Sequence, residues 1–105
     1  MHIEVSTDNT IQGAEDVRRT VTEVLESKLA PLASRITRIE AHISDENADK
    51  GGAADKRCVL EARVRGREPV VVRHNDETVR SAIIEAGNKL RAALDREIGK
   101  LDDRN

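Results

Sequence analysis

Strict alternation of aliphatic and charged residues between positions 36 and 75 constrains the fold of this chain more than any other feature. Three segments show the pattern, centred on 37–43, 58–64 and 70–73. Successive side chains of a β-strand point to opposite faces of the sheet, so strict alternation predicts strands with one packed face and one solvent-exposed face. We therefore expect three consecutive antiparallel strands in this region.

The phase of the alternation assigns individual residues to the two faces. Thr37 and Cys58 fall on the packed face, so Cys58 is predicted to be a buried core thiol and not a nucleophile. The exposed face carries Glu40, Glu61 and several arginines. Like charges directly opposite each other destabilise a strand pair. We therefore expect a register that places Glu40 beside Arg63 and not beside Glu61.

Helical spacing of aliphatic residues flanks the three strands. One stripe predicts a helix over residues 14–30, which Pro31 ends because its ring and missing N–H are incompatible with a further turn. A second stripe runs from Val79 to Leu101, with Asn75 or Asp76 as its candidate N-cap. Two helical stripes of this kind can cover the aliphatic face of the sheet.

A short alternating segment at 2–7 adds a first strand, so the predicted element order is β-α-β-β-β-α. This order predicts a single α+β domain over residues 1–105, a four-stranded sheet with two helices packed on one face. We expect residues 45–56 to form a flexible hairpin loop, because they are polar and contain two adjacent glycines. Residues 102–105 are expected to form a frayed tail.

Composition narrows the classes of function. The chain has 105 residues and no Phe, Tyr or Trp, so it lacks the stacking platforms of most modules that bind single-stranded nucleic acid. Its formal net charge is −2, from 18 basic and 20 acidic residues, so binding to phosphate requires local segregation of charge. One cysteine suits a reducing cytoplasm, and no apolar run reaches the roughly 20 residues of a membrane span. We expect a cytoplasmic protein without a membrane partner.

The residues that carry catalysis or bind metals are sparse. His2, His42 and His74 lie on different predicted strands, and no short-spaced pair of metal ligands is present. We therefore expect no enzyme activity, no cofactor, no metal and no small-molecule substrate.

Basic residues form two candidate sites for phosphate. One lies near the end of the sheet and consists of Arg63, Arg65 and Arg67. The other lies on the second helix and consists of Lys89, Arg91, Arg96 and Lys100. Two interpretations of the exposed sheet face remain open: a solvated surface held by cross-strand ion pairs, or an arginine-rich platform for phosphate or acidic protein.

The element order resembles that of the ribosome hibernation-promoting factor family, also called ribosome-associated inhibitors or ribosomal subunit interface proteins. The resemblance covers nearly the whole chain through a diffuse pattern. The matching residues are Lys28-Leu29, Arg35-Ile36, Ala82-Ile83, Lys89-Leu90, Leu94, Arg96, Lys100 and Leu101. The chain resembles a short-form member, without a dimerising C-terminal extension.

The resemblance implies a factor that docks on the small ribosomal subunit near the decoding region and silences or stores idle ribosomes. Basic side chains would then meet ribosomal RNA phosphates, with Lys28, Lys89, Arg96 and Lys100 as the contacts carried over by position. The free protein is expected to be a monomer. Ala92-Ala93 stand where the family has an Arg-Gln pair. The alternative is a protein-interaction module with the same fold but little affinity for RNA.

Overall fold

The predicted order of elements is confirmed by the computed structural model, which describes residues 1–46 and 54–102. The elements are β1 (His2–Thr7), α1 (Ala14–Leu29), a 3₁₀ segment (Ala30–Arg35), β2 (Ile36–Asp45), β3 (Lys56–Val64), β4 (Val70–Asp76) and α2 (Val79–Asp102). The protein therefore has the predicted α+β fold.

The four strands form one mixed sheet in the order β1-β2-β3-β4. Strand β1 is parallel to β2, and the two later pairs are antiparallel. A parallel pair needs a crossover connection, and α1 together with the 3₁₀ segment provides it. Both helices pack on the same face of the sheet, as expected, and leave β1 and β4 as its edges.

The core lies between this sheet face and the two helices, and it is aliphatic. Its largest fully buried side chains come from α1, β2, β3 and α2 and include Leu25, Ile39, Leu60 and Leu90. Cys58 is also fully buried, and burial raises the pKa of its thiol to about 12 because the thiolate loses its hydration. The prediction that Cys58 is a core thiol is confirmed.

Because Cys58 is buried, its thiol should react slowly in the native protein. A maleimide or disulfide reagent should label the native thiol far more slowly than the thiol in denaturant, because the thiolate is the reactive form. The difference in rate should persist at pH 9, where the denatured thiol is largely ionised and the native thiol is not. Equal labelling rates in the two states would contradict the burial of this side chain.

The register between β2 and β3 differs from the prediction. Glu40 lies directly opposite Glu61, and Arg38 lies opposite Arg63, so the expected pairing of Glu40 with Arg63 was wrong. On the other side of β2, Glu4 of β1 lies opposite Glu40. The exposed face thus carries one row of three glutamates beside a row formed by His2, Arg38 and Arg63.

The glutamates of this row have their partners along the strands. Each one has a basic residue two positions away on its own strand. The pairs are Glu4 with His2 at 2.8 Å, Glu40 with Arg38 at 3.2 Å and Glu61 with Arg63 at 3.4 Å. With these pairs in place, like-charge contact across strands is largely offset, and burial of the opposite face sets the register.

A β-bulge at the start of β2 corrects a second residue assignment. The register shifts between Ile36 and Arg38, which inserts one extra residue into β2. As a result Ile36 is buried and Thr37 is exposed, so the assignment of Thr37 to the packed face was wrong.

The bounds of the predicted loop and tail also change. Asp45 and Lys56 are paired strand residues, so they do not belong to the loop predicted at 45–56. The Glu46 amide N donates to the Asp55 carbonyl O at 2.8 Å and extends the strand pairing. The predicted flexibility of the rest of the loop falls on residues 47–53, which lie outside the described residues. Most of the predicted tail, residues 103–105, also lies outside them.

Both helices begin or end close to their predicted limits. Helix α1 ends at Leu29, one residue early, and Pro31 lies in the 3₁₀ segment that follows. Helix α2 is capped by Thr78, whose Oγ1 accepts a hydrogen bond from the Ser81 amide N at 3.0 Å. Asn75 and Asp76, the two candidates for this cap, belong to β4.

Candidate nucleic-acid interface

The four basic residues predicted as a site on α2 divide into two groups on opposite sides of the helix. Since a helix turns about 100° per residue, Lys89, Arg96 and Lys100 lie within about 20° of one line, whereas Arg91 lies about 200° from Lys89. Hydrogen bonds confirm the division. Lys89 Nζ donates to the carbonyl O of Arg73 in β4 at 3.1 Å, and Arg91 Nη1 donates to the carbonyl O of Lys28 in α1 at 2.8 Å.

The first group, Lys89, Arg96 and Lys100, is called the edge row because it lies on the side of α2 that faces the β4 edge. All three side chains are exposed. Arg96 has no hydrogen bond or ion pair with any residue that the structure describes, and Lys100 lies 3.5 Å from Glu97 with 64% of its side chain exposed. The edge row therefore presents cations that solvent anions can reach.

Arg91, on the other side of α2, lies between the two helices beside Lys28 of α1. Both side chains already donate hydrogen bonds to protein acceptors. Arg91 Nη1 satisfies one of the carbonyls that the end of α1 leaves without a helical partner, and its Nε lies 3.0 Å from Asp95 Oδ2. Lys28 Nζ donates to Asn88 Oδ1 at 2.6 Å. These contacts hold the end of α1 against α2, so these two side chains have a structural role.

A glycine makes the contact between the helices possible. A Cβ atom at Gly87 would lie 3.0 Å from Lys28 Cδ and 3.3 Å from Val24 Cγ1, which is tighter than normal packing. Gly87 therefore allows the stem of Lys28 to cross the surface of α2.

The three arginines near the end of the sheet lie close in sequence but have different surroundings. Arg63 is paired with Glu61 on the exposed sheet face. Arg67 Nη2 donates to Glu97 Oε2 at 2.8 Å, with 21% of the arginine side chain exposed. The side chain of Arg65 is exposed and has no partner among the described residues. Of these three, only Arg65 is exposed without a side-chain partner among the described residues, since Arg63 is exposed but paired and Arg67 is mostly buried.

Glu97 connects the β3–β4 turn, which contains Arg65 and Arg67, to the edge row. The hydrogen bond from Arg67 and the charge of Lys100 hold the pKa of the Glu97 carboxyl below its usual value. The positive φ of Gly66, 73°, forms the turn that brings Arg67 back towards α2. One carboxylate thus joins the β3–β4 turn to the last turns of α2.

The exposed sheet face is now better described as a solvated surface than as a free arginine platform. Arg38 and Arg63 each have a glutamate on the same strand, and Arg57 Nη1 lies 3.0 Å from Glu46 Oε1. The ion pairs of Arg38 and Arg63 run along a strand, whereas the Arg57–Glu46 pair crosses from β3 to the end of β2, as the first of the two interpretations predicted.

Sequence reasoning did not single out Arg18 and Arg80 as accessible cations. Both side chains are exposed, and neither has a hydrogen bond or ion pair with the part of the chain that the structure describes. Their only signal in the sequence is that they lie off the aliphatic stripes, a property shared by many solvated residues.

The described residues contain neither a metal-binding cluster nor a membrane-spanning helix. Within residues 1–46 and 54–102, no cluster of three or more His, Cys, Asp or Glu side chains has an arrangement that could bind a metal ion. None of the described helices combines the length and the apolar composition that crossing a membrane requires.

Comparison with known proteins decides the family. The sequence profile described as sigma 54 modulation protein / S30EA ribosomal protein matches residues 3–102. This chain belongs to that family. The match spans α1, α2 and all four strands, so the S30EA ribosomal protein assignment applies to the whole fold.

Solved structures show the same fold at low sequence identity. A ribosomal subunit interface protein from Coxiella burnetii is 14% identical, with a TM-score of 0.76, and the alignment covers 94% of this chain and 99% of that one. The N-terminal domain of Protein Y from Thermus thermophilus is 18% identical, with a TM-score of 0.71 and coverage of 91% and 98%. No curated protein sequence matches this chain.

Proposed function

We propose that this protein is a non-enzymatic, cytoplasmic factor that binds the small ribosomal subunit and silences or stores idle ribosomes. Membership of the S30EA ribosomal protein family supports a ribosome-associated role. The edge row is the main support for contact with RNA, because its three exposed cations line one side of α2. Ala92 and Ala93 occupy the gap between Lys89 and Arg96, so no acidic residue lies on that line between them.

The proposed contacts are ranked by what each cation already binds. Arg96 and Arg65 come first because they are exposed and their side chains have no partner among the described residues. Lys89 and Lys100 come second, because they are exposed but already contact the Arg73 carbonyl O and Glu97. The last group, in which each side chain donates to a protein acceptor that phosphate would have to displace or share, is Lys28, Arg63, Arg67 and Arg91. With no aromatic residue in the chain, these contacts depend on charge and not on base stacking.

A salt series tests this proposal quantitatively. Each neutralised phosphate releases counterions, so four contacts predict that log affinity for purified small subunits falls with log salt with a slope of about −3. Arg96→Gln should weaken binding and flatten the slope by nearly one unit. Its fold should persist, because Arg96 is exposed and lies off the aliphatic stripe.

Arg19→Gln is the matched control for that series. Arg19 is an exposed arginine on α1, and it has an acidic neighbour, Asp16, at 3.4 Å. The control removes the same charge from the protein at a distance from the edge row. If the two variants flatten the slope equally, the edge row is not the contact surface.

A protein-interaction module is the second candidate, and the tethering of Lys28 and Arg91 favours it. Those two side chains use their charge inside the protein, which lowers the number of cations available to RNA. Such a module would bind small subunits with little dependence on salt or would not bind them.

A further inference from the structure

The outer edge of β4 offers unpaired backbone groups. Strand β4 is an edge of the sheet, and the carbonyl O of Arg73 accepts a hydrogen bond from Lys89 Nζ of α2. In an antiparallel pair, alternate residues direct both N–H and C=O away from the partner strand. The Glu46 amide N bonds to the Asp55 carbonyl O, so the odd-numbered residues of β3 direct these groups towards β2. Since Val59 opposes Arg73, the odd-numbered residues of β4 direct theirs outward.

The edge row follows this strand. Lys89 lies level with Arg73, and Glu97 of α2 meets Arg67, which precedes the start of β4. Helix α2 therefore runs antiparallel to β4. With a rise of about 1.5 Å per residue, Arg96 lies about 10 Å beyond Lys89, close to the level of Val70.

Apolar surface completes the edge. Val71 is 46% exposed on the open face of the sheet and is one of two exposed large hydrophobic residues among those that the structure describes. Val70 and Val72 are half-buried on the face that α2 covers. A strand laid against β4 would meet cations on its α2 side and an aliphatic side chain on its other side.

We propose that the β4 edge binds an extended acidic segment of a partner protein as a fifth strand. The segment would pair its backbone with Val71 and Arg73, direct alternate carboxylates towards Lys89 and Arg96, and place apolar residues beside Val71. The backbone of β4 supplies donors and acceptors at a spacing that a peptide strand matches and a phosphodiester chain does not. This inference does not depend on the proposed ribosomal function.

Protection of the edge is the simpler role for these residues. Lysine and proline are common guards of exposed strands, and Lys89 and Pro69 both adjoin β4. This protection covers little of the outer edge of β4, because Lys89 bonds to only one of its carbonyl groups, that of Arg73. The outward N–H groups of Val71 and Arg73 have no acceptor within the described residues. The edge is therefore open to a partner strand.

A blocked synthetic peptide of alternating glutamate and valine is the probe. At low salt it should bind the wild-type protein and shift the amide NMR signals of Val71 and Arg73. Val71→Pro removes an outward N–H without breaking the ladder to β3, so binding should weaken about tenfold while the fold persists. Val71→Thr, which keeps the N–H, should bind the peptide as the wild type does.

A second peptide tests the same contacts from the partner's side. N-methylation at the positions that face β4 keeps the charge of the peptide and removes its donors, so binding should be lost. Equal binding of the methylated peptide, or of Val71→Pro, would overturn the fifth-strand arrangement, as would self-association of Lys89→Gln without any peptide binding.

The two proposals fail separately. Val71→Pro should leave binding to small ribosomal subunits unchanged, whereas Arg96→Gln should weaken binding to both partners. If the wild type does not bind ribosomes, the peptide result still stands. If it does not bind the peptide, the ribosome result still stands.

Discussion

Leu90→Ala is expected to lower the free energy of unfolding by about 3 kcal/mol, the usual cost of a buried leucine replaced by alanine. Leu90 is fully buried in the single aliphatic core. A domain of 105 residues has a total stability of about 5 to 15 kcal/mol, so the loss is a large fraction of it. The core contains no aromatic side chain that could move into the cavity.

Urea unfolding of Leu90→Ala and Val71→Ala measures this effect with a matched control. Val71 is an aliphatic residue that is 46% exposed, so its truncation should cost well under half as much. A similar loss in both variants would show that α2 does not pack on the sheet as described.

Lys56→Met is expected to destabilise the protein through its neighbour Asp55. Asp55 is 3% exposed, its Oδ1 accepts from Lys56 Nζ at 2.6 Å, and its Oδ2 is buried without a hydrogen-bond partner. Asp45 Oδ2 lies 3.5 Å from the same ammonium group. A buried carboxylate that loses its counter-charge typically costs about 3 kcal/mol or more, because its desolvation is no longer offset.

The pH dependence of that loss identifies its cause. In the wild type the hydrogen bond that Lys56 donates to Asp55 raises the pKa of Lys56, so the stability it contributes is lost only as the pH rises past the usual lysine range. Lys56→Met should lack this loss at high pH, because it has no ammonium group to deprotonate.

Two further variants serve as controls for the pair. Asp55→Asn combined with Lys56→Met removes both charges and should recover much of the stability at pH 7. Lys56→Arg keeps the positive charge and should cost less than Lys56→Met. If the double variant is no more stable at pH 7 than Lys56→Met alone, the buried carboxylate is not the source of the effect.

Aliphatic periodicity was enough to predict the element order, because burial of Leu60, Leu90 and their neighbours dominates the free energy of packing. Register was not predictable from charge alone. Arg38 and Arg63 lie two positions from Glu40 and Glu61 on the same strands. These cations offset the repulsion between the two opposing glutamates. The bulge at Thr37 left no sequence signal that distinguishes it from regular alternation.

The candidate site was predictable only as a set of cations. Spacing placed Lys89, Arg96 and Lys100 on one helical line, and the structure has them there. Spacing could not show that Arg91 reaches the carbonyl O of Lys28, because such a contact depends on how two helices pack. For the same reason, the open edge of β4 beside Lys89 became visible only in three dimensions.

Co-sedimentation with purified ribosomal subunits tests the central claim most directly. The wild-type protein is mixed at low salt with small subunits or large subunits, each mixture is centrifuged through a sucrose gradient, and the protein is detected with an antibody. We predict that it migrates with the small subunit, that raising the salt releases it, and that Arg96→Gln is released at lower salt than Arg19→Gln. Protein that stays at the top of the gradient at low salt would contradict a ribosome-binding function for this chain.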